Sequence, residues 1–252
     1  MGAEPQTESV HRKLREWWDA DAETYDHSAS HSASDPVEAA AWRQALLRHL
    51  PPPPARILDV GAGTGTMSLL AAQLGHRVTA LDLSPGMLGR AREKADAEGL
   101  AIDTVVGPAD APPRAEFDAV MERHLLWTLP DPVAALKAWR DVARRVVLYE
   151  GIWRPQDLAG KIKQRAARTI RRTLGHSHDH HAEYDRAMLA ALPFPAGITP
   201  RLILETLVGA GYHRARIERL HGVEWARHLA EPPVLRTLEA VPRFAVLAES
   251  EP

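Results

Sequence analysis

The stretch Ala55 to Gly65, reading Ala-Arg-Ile-Leu-Asp-Val-Gly-Ala-Gly-Thr-Gly, constrains this chain more than any other. Ile57, Leu58 and Val60 belong to an apolar run of strand length, and glycines at alternate positions end it. Met67, Leu70, Ala71 and Leu74 then recur at helical spacing, with Gly75 as the stop. A strand, a glycine turn and a helix N-terminus in direct succession bring bare backbone against a ligand. A second strand, Val78 to Leu81, runs into Asp82, twenty-one residues after Gly61. An acid at that distance is placed to accept hydrogen bonds from a ribose diol.

Two cofactor classes share this plan. Dinucleotide enzymes use G-x-G-x-x-G, whose third small residue falls at position 66. Here that position is Thr66, and the glycines run Gly61, Gly63, Gly65 behind the acid Asp59. This pattern resembles the first motif of the class I S-adenosylmethionine-dependent methyltransferases. Leu81 to Leu88 is similar to that family's ribose-binding segment, Gly107 to Ala111 to its adenine-binding segment, and Phe117 to Val120 to its fourth strand. The resemblance spans roughly residues 15–150. It implies S-adenosylmethionine as cofactor, leaving as S-adenosylhomocysteine. The implied cofactor residues are Tyr25, Asp59, Gly61, Ala62, Gly63, Gly65, Asp82, Leu83, Met87, Ala109, Asp110, Ala111 and Arg123.

Strands and helices alternate from Arg56 to Tyr149, which predicts an α/β fold with a parallel sheet covered on both faces. Two further strands are expected at His213–Leu220 and Phe244–Ala248, the last antiparallel as in the family. The expectation is a doubly wound, seven-stranded, mostly parallel Rossmann-like sheet. Four parts are expected: an N-terminal helical lid (1–54), a cofactor-binding core (55–154), a substrate-side insertion (155–197) and the C-terminal part of the core sheet (198–252). Val10, Leu14, Trp17, Trp18 and Tyr25 recur at helical spacing in the lid. The resemblance folds this segment over the cofactor and places Tyr25 near the methyl group.

In open parallel sheets the ligand sits beyond the carboxyl ends of the strands. That rule selects Glu122, Arg123, His124, Leu125 and Trp127 after strand four, and Glu150 and Trp153 after strand five. His124 is the candidate base, because imidazole titrates near neutrality; a core histidine bonded to backbone is the alternative. Glu150 is suited to orienting a base or touching substrate. Tyr184 is a second catalytic candidate, four residues after His180 and so on one helical face with it. The acceptor is expected against Trp18, Trp127, Glu150, Trp153, His180, His181, Phe194 and Trp225.

The insertion carries Lys161, Arg165, Arg168 and Arg172 on one helical face. This is either a solvated amphipathic helix or a surface for an anionic or nucleic-acid substrate. No aromatic residues interleave these charges, so a base-stacking platform is not expected. The run His176-Ser177-His178-Asp179-His180-His181 has metal-ligand chemistry but lacks ligands from a separate segment, so no metal is expected. A net charge of −2 over 252 residues argues against a wholesale nucleic-acid binder. The chain has no cysteine, as suits a reducing cytoplasm, and no apolar run of membrane-spanning length. The reading is an enzyme, monomer or homodimer, that methylates an N or O atom of a small molecule, such as a secondary metabolite. The alternatives are an RNA or protein methyltransferase using the basic insertion, and a non-methylating cofactor-binding member of the fold.

Overall fold

The computed structural model describes residues 4–27, 33–153, 158–173, 192–194, 197–236, 238 and 241–251. Its centre is a seven-stranded sheet in the order β3-β2-β1-β4-β5-β7-β6. The strands are β1 (Arg56–Val60), β2 (Arg77–Asp82), β3 (Ile102–Val106), β4 (Ala119–Arg123), β5 (Arg145–Gly151), β6 (Arg214–Arg219) and β7 (Arg243–Glu249). β1 to β5 pair in parallel, and β7 runs antiparallel between β5 and β6. This is the expected architecture.

The central strands read as near-continuous apolar runs because both sheet faces are covered. Alternate residues go to opposite sides. Leu58, Val60, Val120, Val146 and Leu148 meet Trp139 and Tyr212 on one side. Ile57, Met121, Val147 and Tyr149 meet Trp42 and Leu46 on the other.

The helices begin where an oxygen-bearing cap precedes proline. Asp35 caps α2 (Pro36–His49), Ser84 caps α4 (Pro85–Glu98), Asp131 caps α5 (Pro132–Val142) and Thr199 caps α7 (Pro200–Gly209), each accepting first-turn N–H bonds. Two further helices are α3 (Thr66–Gln73) and α6 (Leu158–Thr173). After β6, α8 (His221–Ala230) packs against α2 and β7.

The N-terminal segment departs from its periodicity. α1 (Glu4–Asp21) stops short of Tyr25, which belongs to a separate 3₁₀ turn, Tyr25–His27. Two carboxylates hold the segment down. Asp19 accepts from the Ser84 hydroxyl and from Gly86 N–H at 3.0 Å. Asp26 accepts from Thr64 Oγ1 at 2.6 Å and from Lys94 Nζ at 2.9 Å. The turn is thereby tied to the glycine loop, and α1 to the start of α4.

Strand order reverses between β1 and β4, so the loops after these strands part and leave a crevice at their carboxyl ends. Gly65 does not line that crevice. It has φ +83°, and a Cβ there would stand 2.7 Å from Ala91 Cβ. It lies where α3 comes closest to α4. Gly65→Ala is expected to destabilise the fold by roughly 1–3 kcal/mol through strain and overpacking. At about 2–4 °C per kcal/mol for a chain this long, calorimetry should show a clear drop in Tm. An unchanged Tm would show that the helices part without cost.

Candidate functional site

The crevice is lined from four directions. The glycine loop supplies Gly61 and Gly63, and the end of β2 supplies Asp82, Leu83 and the α4 residue Met87. The loop after β3 supplies Gly107, Pro108 and Ala109, and the end of β4 supplies Arg123, His124 and Leu125. His11, Leu14, Trp18 and Tyr25 close it from above. A smaller recess beside it is lined by Asp59, Ala62, Thr64 and Thr66, again with Tyr25 and Arg123. Ring contacts stiffen the cover, with Trp17 edge-on to Trp18 at 4.5 Å and Trp18 edge-on to Tyr25 at 5.9 Å.

The loop suits a nucleoside-bearing amino acid. Gly61 and Gly63 have φ of +65° and +57°. Asp82 accepts from Gly63 N–H at 2.8 Å through one oxygen and from Ser84 N–H at 2.9 Å through the other. A carboxylate has about four acceptor positions, so both oxygens retain capacity for a diol. Ala109 is held in place by its carbonyl, which accepts from Trp139 Nε1 at 2.7 Å. Asp59 and Arg123 in the smaller recess offer opposite charges to a zwitterion. The acceptors and charges of these groups fit the chemistry of S-adenosylmethionine.

His124 stands apart from its neighbours. At φ +62° it is the one non-glycine with positive φ among the described residues. Such backbone costs on the order of 1 kcal/mol and persists where the surroundings enforce it. Here His124 N–H donates to Tyr149 O at 3.0 Å, and Glu122 Oε2 accepts from Leu125 N–H at 2.7 Å. The imidazole Nδ1 lies 3.5 Å from Glu150 Oε2. The Trp153 ring stands edge-on to it at 4.9 Å, and the Arg243 guanidinium lies over Trp153 at 5.1 Å.

Burial dominates the electrostatics. It pushes the Asp59 carboxyl up to about 7, against the opposing pull of the Ser68 hydroxyl and Arg123. It raises Asp82 although the Ser84, Gly63 and Leu83 amides favour its charge. It raises Glu122 and Glu150, and Glu122 adds to the rise at Glu150. Tyr25 is raised by burial to about 12, so its phenol stays protonated at neutral pH.

Of the residues singled out in the sequence, Tyr25, Asp59, Gly61, Ala62, Gly63, Asp82, Leu83, Met87, Ala109, Arg123, His124 and Trp18 line the crevice or the recess beside it. Others do not. Asp110 and Ala111 lie outside the lining, which the loop instead meets through Gly107, Pro108 and Ala109. Glu150 is 1% exposed and sits behind His124 rather than against an acceptor. Trp127 and Phe194 pack on the hydrophobic core. Trp225 is 62% exposed on α8, stacked on His228, because its helix buries Val223 and Ala226 instead. His180, His181 and Tyr184 lie outside the described residues, as does the histidine run. Among the described residues no group of three or more His, Cys, Asp or Glu is arranged to hold a metal, and no helix is long and apolar enough to cross a membrane. Glu122 was visible only as one residue of a strand end; its buried position against the His124 turn depends on the pairing of β4 with β5.

Comparison with known proteins agrees with this geometry. Residues 57–145 match the family described as "Methyltransferase domain". The chain is 29% identical over 221 residues to a protein named ubiquinone biosynthesis O-methyltransferase from Xanthomonas axonopodis pv. citri, covering 86% of this chain and 89% of that protein. A protein of the same name from Xanthomonas campestris pv. campestris is 36% identical over 125 residues, about half of each chain (48% and 49%). Among solved structures, magnesium protoporphyrin IX methyltransferase from Synechocystis PCC 6803, with bound S-adenosylhomocysteine, superposes with a TM-score of 0.57 at 17% identity, covering 95% of this chain and 99% of that one. The [4+2]-cyclase SpnF superposes with a TM-score of 0.55 at 17% identity, covering 82% of this chain and 80% of that one.

The buried acids make stability depend on pH. A carboxyl raised by folding contributes stability that is full below its unfolded value and is lost as pH climbs through its folded value. His49 and His76, lowered by burial, act in the opposite sense, but only below the ordinary histidine value of about 6.5. Between about pH 6.5 and 8 the Tm of the ligand-free protein should therefore fall as pH rises. Asp59→Asn should flatten that slope. A Tm that rises across this window in differential scanning calorimetry would contradict the raised acids.

Proposed function

This chain belongs to the class I S-adenosylmethionine-dependent methyltransferases, and from that premise we propose that it methylates an oxygen or nitrogen atom of a small molecule, with His124 as the base. When bound, S-adenosylmethionine supplies a methyl group already activated by its sulfonium. The observation that carries the proposal is a strained, pocket-lining imidazole backed at 3.5 Å by the buried carboxyl group of Glu150.

The residues divide the work by position. Asp82 accepts from the ribose hydroxyls, Leu83 and Met87 flank the base, and Arg123 with Asp59 holds the amino-acid end. Trp18 and Tyr25 cover the crevice and limit water, which strengthens electrostatic contacts beneath them. Nδ1 of His124 is turned toward Glu150, and Nε2, covered in this structure, is the nitrogen that must be uncovered to meet the acceptor. His124 takes the acceptor's proton there, and the Glu150 carboxylate stabilises the resulting imidazolium. Alignment of the acceptor contributes further to the rate. The covered crevice suits a small molecule, and the name carried by the Xanthomonas relatives favours oxygen over nitrogen as the acceptor atom.

Asp82→Ala should weaken S-adenosylhomocysteine binding by roughly 1.5–3 kcal/mol in titration calorimetry, the scale of hydrogen bonds to a charged group. His124→Ala should lower turnover about 10²–10⁴-fold and leave that affinity within a factor of about two. Turnover is read by mass spectrometry of methylated product from a panel of phenols and amines, with RNA and protein acceptors alongside. Methylation confined to RNA or protein, or wild-type turnover in His124→Ala, would overturn the proposal. Cofactor binding with no methylated product from any acceptor would favour a non-methylating member of the fold.

A further inference from the structure

The base assignment leaves one buried acid without a task. Glu122 is fully buried at the end of β4, and Glu150 is buried at the end of β5. The parallel register pairs Glu122 with Leu148, so Glu150, two residues on, projects from the same sheet face. His124, two residues after Glu122, turns toward Glu150 through its left-handed backbone. Three titratable groups therefore meet at one corner of the sheet. Glu122 Oε2 is engaged by Leu125 N–H. Glu122 Oε1 and both Glu150 oxygens are buried without a hydrogen bond of good geometry.

We propose that Glu122 is a positioning residue that shares a single proton with Glu150 and so sets how much negative charge stands behind His124. The inference rests on the reading of His124 as the base. Two neighbouring carboxylates withdrawn from water do not both ionise, because each charge penalises the other and burial penalises both. The surroundings favour the shared state. Asp59 on β1 adds a like charge toward Glu122, and the amides of Leu125, Leu126 and Tyr149 partly support the carboxylate. On the Glu150 side the amides of Gly151 and Leu126 do the same. Arg123, after Glu122 on β4, faces away to stack on Trp42 at 5.6 Å. Arg243 on β7 lies over the Trp153 ring at 5.1 Å and faces Arg227, Glu38 and Glu224.

The proton balance is simple. The acceptor's O–H or N–H bond breaks, an N–H bond forms at Nε2 of His124, and the acceptor's electron pair takes the methyl group, whose bond to sulfur would break with its electron pair left on the sulfur of S-adenosylhomocysteine. The imidazolium is balanced by the one negative charge of the glutamate pair. It returns its proton to water after product leaves, and the shared proton stays in place. Sharing moves part of that negative charge from Glu150 to the more distant Glu122. The His124 affinity for a proton is thereby held lower than a full Glu150 carboxylate would set it.

Opposite shifts in two variants test this. Glu122→Gln keeps the shape and an oxygen for Leu125 N–H, and confines the negative charge to Glu150. Glu150→Gln confines it to Glu122. The readout is the His124 ring titration in ¹H–¹⁵N spectra of protein saturated with S-adenosylhomocysteine, assigned by the signal lost in His124→Asn. The midpoint should rise by about half a pH unit or more in Glu122→Gln and fall in Glu150→Gln. No shift in Glu122→Gln, or shifts of the same sign in both variants, would overturn the proposal. Infrared spectroscopy of the wild type supplies a check that needs no folded variant at position 122. A component of the protonated-carboxyl C=O band, beside that of Asp59, is expected to be lost in Glu150→Gln near neutral pH, and a band left unchanged by Glu150→Gln would also overturn the proposal. Neither measurement uses an acceptor. If the ring shifts as expected while His124→Ala keeps wild-type turnover, the base assignment fails and the shared proton stands.

Discussion

Leu125 occupies the space where a side chain on Gly61 would lie, with its Cδ1 2.7 Å from the position of a Cβ. This contact joins the loop after β1 to the turn after β4, the two strands between which the sheet order reverses. Everything at the site depends on it. The glycine loop is drawn against the β4 turn, so the cofactor cradle and His124 share one crevice. The same turn is held from behind by Glu122 and by the Tyr149 carbonyl, which is why His124 keeps a left-handed backbone. At φ +65° a residue with a side chain at position 61 is strained, and its Cβ would displace the Leu125 side chain from the loop.

The second organising feature is buried charge. Asp59, Glu122, Glu150 and Arg243 are each at most 2% exposed. Burying them costs stability, since withdrawal from water penalises the charged form of each. They are not scattered. Asp59 and Glu122 lie at or near the carboxyl ends of adjacent strands, Glu150 follows on the next, and Arg243 opens the antiparallel strand beside it. Groups of perturbed affinity gathered at a crevice mark a functional site more strongly than any one of them. The cover is held differently, by carboxylates at its rim. Asp19 and Asp26 pin α1 and the Tyr25 turn to α4 and to the glycine loop. These contacts are hydrogen bonds and an ion pair rather than packed core, so the cover is attached more weakly than the sheet beneath it.

The fold was legible because its signals are local. The alternation of apolar runs, the proline-led helix starts at Pro36, Pro85, Pro132 and Pro200, and the glycines at 61, 63 and 65 each depend on a few adjacent residues. The cofactor end of the site was legible for the same reason: Gly61, Gly63 and Asp82 follow directly from strand ends. The structure differs from the periodicity at Tyr25. Its helical spacing pointed to one continuous helix, whereas the chain breaks after Asp21 and returns in a short turn pinned through Asp26.

The sequence by itself determined the sheet, the cradle and the strand ends that bear chemistry, because strand period, glycine geometry and capping act over a handful of bonds. Only the tertiary structure decided which side chains at those ends meet. Of its two expected places Glu150 took the one behind His124, Trp225 went to the surface and Gly65 lies between two helices, while Glu122, expected only as one of a strand end, came to rest buried beneath the His124 turn. Each outcome depends on the register of β4 against β5, or on which face a helix buries. Those are set by packing between residues far apart in the chain, which local pattern does not encode.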